Sequence, residues 1–212
     1  MSEPVNGPVK GPVSAVVFDV GRVLYHWDIR HLYAKLIPDA ERLDWFLGHV
    51  VSEQWHGQHD AGRPLAEMIA ERCAEFPAEA DLIRLYHSRW LETVPGPVSG
   101  SHEIVRTLAA GGMPLFAITN FGADTWAMFR PGESLFDLFS DIVVSGHEML
   151  AKPDAAIFEL AAGRFGHAPA DMLFIDDNRA NIESAAALGW QVHLFASAEK
   201  LAGDLRERRL IA

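Results

Sequence analysis

At 212 residues, 49% of them apolar, the chain is long enough for one packed domain, or a core with a smaller insertion, and too apolar for wholesale disorder. Eighteen Lys and Arg face 29 Asp and Glu, a net charge of −11, which repels phosphate backbones and anionic lipid, so neither nucleic acid nor a membrane is an expected partner. The one cysteine, Cys73, rules out an intramolecular disulfide and suits a reducing cytoplasm; no apolar run approaches a membrane span, and the start MSEPVNGPVKGP does not read as a signal peptide.

Residues 1–12 read as a loose Pro/Gly tail. Residues 14–20 (SAVVFDV) form a short apolar, β-rich run that ends on a carboxylate, Asp19, as a buried strand presenting an acid at its C-terminal end would. Residues 26–94 contain no convincing strand: Leu32, Leu36, Leu43, Phe46, Leu47 and Val50 recur at helical spacing, as do Leu65, Met68, Ile69, Leu82, Leu85 and Tyr86. Pro38, Gly62-Arg63-Pro64 and Pro77 punctuate this stretch into a helical bundle, and Pro95-Gly96-Pro97 leads out of it. Four further strands follow at 114–119 (PLFAIT), 141–144 (DIVV), 172–176 (MLFID) and 191–195 (QVHLF). Between them lie helices opened by Ser101, Asp154 and Asn178 and stopped at Gly111-Gly112, Gly166 and Gly189. Strand–helix alternation implies a parallel sheet covered by helices, with the ligand outside the carboxyl ends of the strands. Asp19, Thr119 and Asp176 all fall at such ends and are expected to converge.

Four segments together carry a resemblance. They are Phe18-Asp19-Val20-Gly21-Arg22-Val23-Leu24, then Ile118-Thr119-Asn120, then Lys152-Pro153-Asp154, and finally Phe174-Ile175-Asp176-Asp177-Asn178 with Asn181. In this order and spacing they resemble the four motifs of the haloacid dehalogenase superfamily, and the insertion after the first motif resembles its helical C1-type cap. The resemblance implies an α/β, Rossmannoid parallel sheet of order 5-4-1-2-3 with helices on both faces. It divides the chain into a core (residues 1–25 and 95–212) and an all-helical cap (residues 26–94). It further implies a hydrolase acting on a small phosphorylated metabolite through a phospho-aspartyl intermediate on Asp19. Mg²⁺ would be held by Asp19, the Gly21 carbonyl and Asp177, with Asp176 nearby or bound through water. Lys152 would supply a fixed cation, and Thr119 and Asn120 polar groups for phosphate oxygens.

The chemistry accounts for these residue types. A carboxylate can attack phosphorus and split one difficult step into two, but it then lies beside a phosphate dianion, and Lys152 and a hard cation cancel that repulsion. Many phosphatases of this superfamily carry a second Asp two residues after the nucleophile as general acid; here that position is Gly21. A Gly there resembles the subgroup of α-glucose 1-phosphate phosphatases, whose leaving group needs less acid help, so a sugar phosphate is one expected substrate. Alternatively a residue of the helical insertion, His26, His56 or His59, supplies the proton. Arg22 contacts substrate phosphate or pairs with a carboxylate of the insertion. His56-Gly57-Gln58-His59-Asp60 reads as a helix end rather than a zinc site. Of the six tryptophans, Trp27, Trp45, Trp55 and Trp90 fall in or beside the insertion and read mainly as bundle core, with one or two at the roof of the pocket. Two rival readings are a 2-haloacid dehalogenase, in which Asp19 attacks carbon, and a catalytically weak binding or regulatory protein. The former needs no Mg²⁺ and tends to replace the acidic pair held here by Asp176 and Asp177. Either a monomer or a homodimer is compatible with the sequence.

Overall fold

The structure is a computed structural model that describes residues 11–212. Most of the expected tail, residues 1–10, therefore lies outside the described residues. Five strands, β1 (Ala15–Phe18), β2 (Leu115–Thr119), β3 (Asp141–Val144), β4 (Met172–Asp176) and β5 (Gln191–Leu194), form one parallel sheet in the order β3-β2-β1-β4-β5. Read from the other edge, this is the expected 5-4-1-2-3 order.

The three central strands are apolar up to their C-terminal ends because both faces are covered. Val16 and Phe18 of β1, Leu115 and Ala117 of β2 and Leu173 and Ile175 of β4 join one cluster. It includes Val105 and Leu108 of helix 101–110 and Leu201 and Leu205 of helix 198–207. The alternate residues Ala15 and Val17, Phe116 and Ile118, Met172 and Phe174 join the opposite cluster. Its helical partners are Ile157, Phe158 and Ala161 and, from the next helix, Ile182 and Ala185. The two-residue side-chain period of a strand thus feeds two cores at once.

In chain order the helices are α1 (Arg30–Tyr33), α2 (Ala40–His49), α3 (Glu53–Asp60), α4 (Leu65–Glu75) and α5 (Ala80–Ser88), followed by α6 (Ser101–Ala110), α7 (Ala123–Phe129), α8 (Ser145–Glu148), α9 (Ala155–Phe165), α10 (Arg179–Ala187) and α11 (Ala198–Glu207). Two expected caps form: the Asp154 side chain accepts from the Ala156 N–H and that of Asn178 from the Ala180 N–H. Ser101 does not cap. It is the first residue of α6 and buried, and the N-cap is Gly100 at φ 82°. A Cβ at Gly100 would lie 3.0 Å from that of Ala198, so the close approach of α11 and the left-handed backbone both call for glycine there.

Between β1 and α6 the chain makes α1–α5 and two 3₁₀ turns. One residue departs from the expected all-helical stretch: His26 pairs with Gly96, as Tyr25 does with Pro97, in a two-residue antiparallel ribbon where the chain leaves and re-enters the sheet region. The apolar spacing identified most of the bundle interior, including Leu32, Leu43, Phe46, Leu65, Met68 and Tyr86. On α5 the inward pair is Ile83 and Tyr86, three apart on one face, and Leu82 and Leu85 are only half-buried. Trp55 and Trp90 are bundle core, whereas Trp45 is 41% exposed. Among the described residues no helix is long and apolar enough to cross a membrane.

Candidate active site

The site starts where β1 stops. The Asp19 N–H still donates to the Ile175 carbonyl across the sheet, so its carboxylate is delivered at the strand end by sheet pairing. The chain then turns sharply: the N–H groups of Leu24 and Tyr25 both donate to the Val20 carbonyl, and Arg22 takes φ 60°. Asp176, the last residue of β4, and Asp177 arrive from the neighbouring strand, and Lys152 from the loop before α9. Of the three strand-end residues expected to converge, Asp19 and Asp176 come together, joined by Lys152 and Asp177; Thr119 lies apart from the cavity.

Lys152 Nζ sits between two carboxylates, 2.8 Å from Asp19 Oδ1 and 2.7 Å from Asp176 Oδ2, with its side chain 1% exposed. Asp176 is saturated: besides Lys152 it accepts from the Asn178 N–H at 2.7 Å and from Asn181 Nδ2 at 3.1 and 3.0 Å. Asp19 Oδ1 also accepts from the Val20 N–H at 2.7 Å. Asn120, expected to offer its side chain to phosphate, is engaged elsewhere. Its Nδ2 donates to the Lys152 carbonyl at 2.9 Å and its Oδ1 accepts the Lys152 N–H at 2.8 Å. It is a clamp on the backbone of the lysine. Thr119 ends β2 fully buried, and its hydroxyl has no partner. It does not line the cavity, whose wall at this point is Asn120 and Phe121.

Asp19, Asp176 and Asp177 each present an oxygen within 4.8 Å of the others. Three carboxylates against one ammonium leave a surplus of negative charge in a buried place. Burial pushes the Asp19 carboxyl up to about 7; Lys152 opposes this, and Asp176 and Asp177 add to it. Burial and Asp176 raise Asp177 as well, against Arg22 and Lys152. Burial pulls the Lys152 ammonium down, but Asp176 and Asp19 outweigh it and hold it above the usual lysine range. A divalent cation among these oxygens fits the donor set, all hard oxygen, and cancels the surplus.

Above these groups is a cavity of about 310 Å³. Asp19, Lys152 and Asp177 line one part of its wall; Trp27, His56, Asp60 and Trp90, from the helical insertion, line another. Gly21 and Arg22 also line it, but Arg22 is engaged, 2.5 Å from Glu53 of α3, with its guanidinium 5.2 Å from the centre of the Trp27 ring. Of its two expected roles, the structure displays the pairing with the insertion. Of the four tryptophans in or beside the insertion, Trp27 and Trp90 line the wall, matching the one or two expected at the roof; Asp60 was not expected there, because an Asp at a helix end carries no local signal of what faces it. Ser145 carries no such signal either. Its hydroxyl accepts the Phe121 N–H at 2.9 Å and donates to the Asp60 carbonyl at 2.5 Å, tying the end of α3 to the sheet side.

Comparison with known proteins agrees with this geometry. A family model described as haloacid dehalogenase-like hydrolase matches residues 13–189. The chain is 28% identical to a phosphoglycolate phosphatase of Thiobacillus denitrificans, over 85% of this chain and 82% of the relative. It is 25% identical to a sesquiterpene phosphatase of Aspergillus oryzae, over 82% and 86%. It is also 23% identical to a drimenol cyclase of Aspergillus calidoustus over 91% of its own length, but spans only 36% of that larger protein. A HAD family enzyme of Bacteroides thetaiotaomicron, solved as a magnesium complex, superposes with a TM-score of 0.72 at 16% identity, covering 92% of this chain and 100% of that one. Four motifs in order, a sheet of the expected topology and a family match over most of the length lead to one conclusion: the chain belongs to the haloacid dehalogenase-like hydrolase family.

Proposed function

We propose that the protein is a Mg²⁺-dependent phosphatase that transfers the phosphoryl group of a small phosphorylated metabolite to Asp19 and then to water. The observation that carries this is the surplus of buried negative charge around Asp19: three carboxylates gathered about one lysine, an arrangement that stands open to a cation and a phosphate together. Asp19, the Gly21 carbonyl and Asp177 would hold the ion, with Asp176 in reserve because its oxygens already serve Lys152, Asn178 and Asn181. When bound, the ion neutralises the carboxylates and the phosphate oxygens. Lys152 orients the Asp19 carboxylate and balances charge on the transferring group, and Asn120 fixes the lysine through its backbone. Thr119, buried behind Asn120 and Phe121, is left out of the groups that meet the phosphate. The insertion of residues 26–94 acts as a cap that supplies the far wall of the cavity and with it substrate selection. Its size suits a metabolite, and sugar phosphates are the first compounds to try.

The same charge surplus favours this reading over dehalogenation, in which a second and third carboxylate have no use. The test is Asp19→Asn, which keeps side-chain shape and removes the nucleophile. Turnover of every phosphate ester with Mg²⁺ should fall by ~10⁴-fold or more. Retained turnover, or halide release from a 2-haloacid without metal, sinks the proposal.

A further inference from the structure

A phosphate ester cannot leave readily without a proton for its departing oxygen, and Gly21 has no side chain to give one. We propose that the His56–Asp60 pair of α3 is that proton donor, and later the acceptor that activates water. This deepens the phosphatase reading above and rests on it.

Elimination along the cavity wall leads to the pair. Asp19 is the nucleophile, and Lys152 is locked between two carboxylates. Tyr25 donates its hydroxyl proton to Glu133 at 2.6 Å, and burial and that glutamate hold the phenol above its ordinary range. Glu53 is bound to Arg22 and its side chain is 58% exposed. Of the three histidines that the sequence offered, His26 is exposed, in the ribbon. His59 is buried outside the cavity wall, with Nδ1 2.9 Å from the Arg63 carbonyl and Nε2 3.5 Å from the Thr125 hydroxyl. His56 alone lines the cavity, together with Asp60 one helical turn on.

The pair is built as a proton-handling unit. His56 Nε2 lies 3.2 Å from Asp60 Oδ1, and Nδ1 lies 2.7 Å from the Tyr86 hydroxyl, which is itself buried. The side chains are 5% and 13% exposed, and the imidazole stacks on the Trp27 ring with centroids 4.9 Å apart. Tyr86 thus engages Nδ1, while Nε2 faces Asp60 Oδ1, a buried oxygen that makes no hydrogen bond, so ring and carboxyl are placed to exchange a proton as one passes to or from the cavity. The indole N–H of Trp27 is buried without a partner, as if awaiting a ligand oxygen beside the pair. The placement is rigid. The Ser145 hydroxyl holds the Asp60 carbonyl at 2.5 Å, and a Cβ on Gly122 would lie 2.0 Å from the His59 ring, so only a glycine lets α3 come so close to the sheet side.

The steps balance. An Asp19 oxygen bonds to phosphorus as the bond from phosphorus to the ester oxygen breaks, and that oxygen takes a proton from the pair, leaving as an alcohol. Water then attacks the same phosphorus. One of its protons returns to the pair, the other stays on the product as hydrogen phosphate, and the bond to Asp19 breaks to restore the carboxylate.

The test sets Asp60→Asn and His56→Gln against the wild type on two ester classes with Mg²⁺: alkyl phosphates, whose oxygens need a proton, and 4-nitrophenyl phosphate, whose oxygen does not. Compared by kcat/KM, which reports only the steps up to expulsion of the leaving group, the expected result is a loss of ~100-fold or more on alkyl esters and less than about threefold on the aryl ester, while kcat on both falls with the shared step of water attack. Adding Gly21→Asp to Asp60→Asn should restore alkyl turnover selectively, because a Cβ at Gly21 meets nothing within 4 Å. An equal loss of kcat/KM on both classes, or no loss on either, overturns the proposal. Asp19→Asn silences both classes alike, so failure of the pair and failure of the nucleophile assignment give different patterns.

Discussion

At the strand ends the groups hold one another: Lys152 is held by Asp19 and Asp176, Asp176 by Asn178 and Asn181, and the Lys152 backbone by Asn120. The wall contributed by residues 27–94 is different. Half of its residues carry aromatic rings, its few charged groups stand in pairs, and it leaves the Trp27 indole N–H without a partner. A step common to all substrates calls for the first kind of construction, with charge fixed before the ligand arrives. Recognition of one leaving group calls for the second, with apolar surface and a few polar atoms unfilled until the right molecule fills them. The two regions should accordingly respond to change in opposite ways, the first through stability and metal binding, the second through substrate preference.

The sharpest way to break this contrast is Lys152→Met. It removes the only ammonium between two buried carboxylates, and the fold should lose about 3–5 kcal/mol at neutral pH without added cation, measured by urea unfolding. A loss under about 1 kcal/mol would show that the strand-end charges are not mutually dependent.

The response to Mg²⁺ comes next, and its sign depends on pH. Asp19 is raised from 3.8 to about 7, so the folded protein keeps a proton that the unfolded chain has already lost. Stability without cation therefore falls as pH rises between these two values. On the proposed reading Mg²⁺ would bind the deprotonated cluster, so its stabilisation should grow over the same range, reaching about 2.7 kcal/mol at a hundredfold excess over Kd. Thermal melts with and without Mg²⁺ at about pH 5 and pH 8 check this. Equal shifts at both pH values would refute the charge-surplus account, and Asp177→Ala should abolish the shift with the fold retained.

A smaller effect is expected at Thr119. Valine replaces an unpartnered buried hydroxyl with a methyl group of similar shape, so Thr119→Val should leave the urea midpoint unchanged or raise stability by up to about 1 kcal/mol. Turnover should stay within about threefold of wild type, because the hydroxyl does not line the cavity; a fall of about tenfold would return Thr119 to the role of phosphate ligand. The smallest change belongs to Arg22→Gln. The ion pair with Glu53 is 41% and 58% exposed, so its loss should cost under about 1 kcal/mol, with kcat/KM within about threefold of wild type. A large rise in KM would return Arg22 to the role of phosphate ligand.

Much of the strand-end region is legible in the sequence because its signals are local. A short apolar run ending in Asp19 or Asp176, a lysine before a helix and an Asn at a helix start each follow from neighbours in the chain, and strand order follows from the motif set. Asn120 shows the limit: its type suggests phosphate, but a side-chain amide with both a donor and an acceptor is drawn to the Lys152 backbone, 32 residues away. Ser101 shows another, since the approach of α11 displaces the cap to Gly100.

The sequence by itself determined the alternation of strands and helices, the helical insertion and the family motifs, because hydrophobic period, capping residues and strand-end acids are properties of consecutive residues. Tertiary structure alone decided which insertion residues face Asp19. The lining by Trp27, His56 and Asp60, the pairing of Arg22 with Glu53 and the anchoring of α3 by Ser145 all join segments far apart in the chain. Their positions depend on how a packed bundle settles on a sheet, which no local pattern encodes.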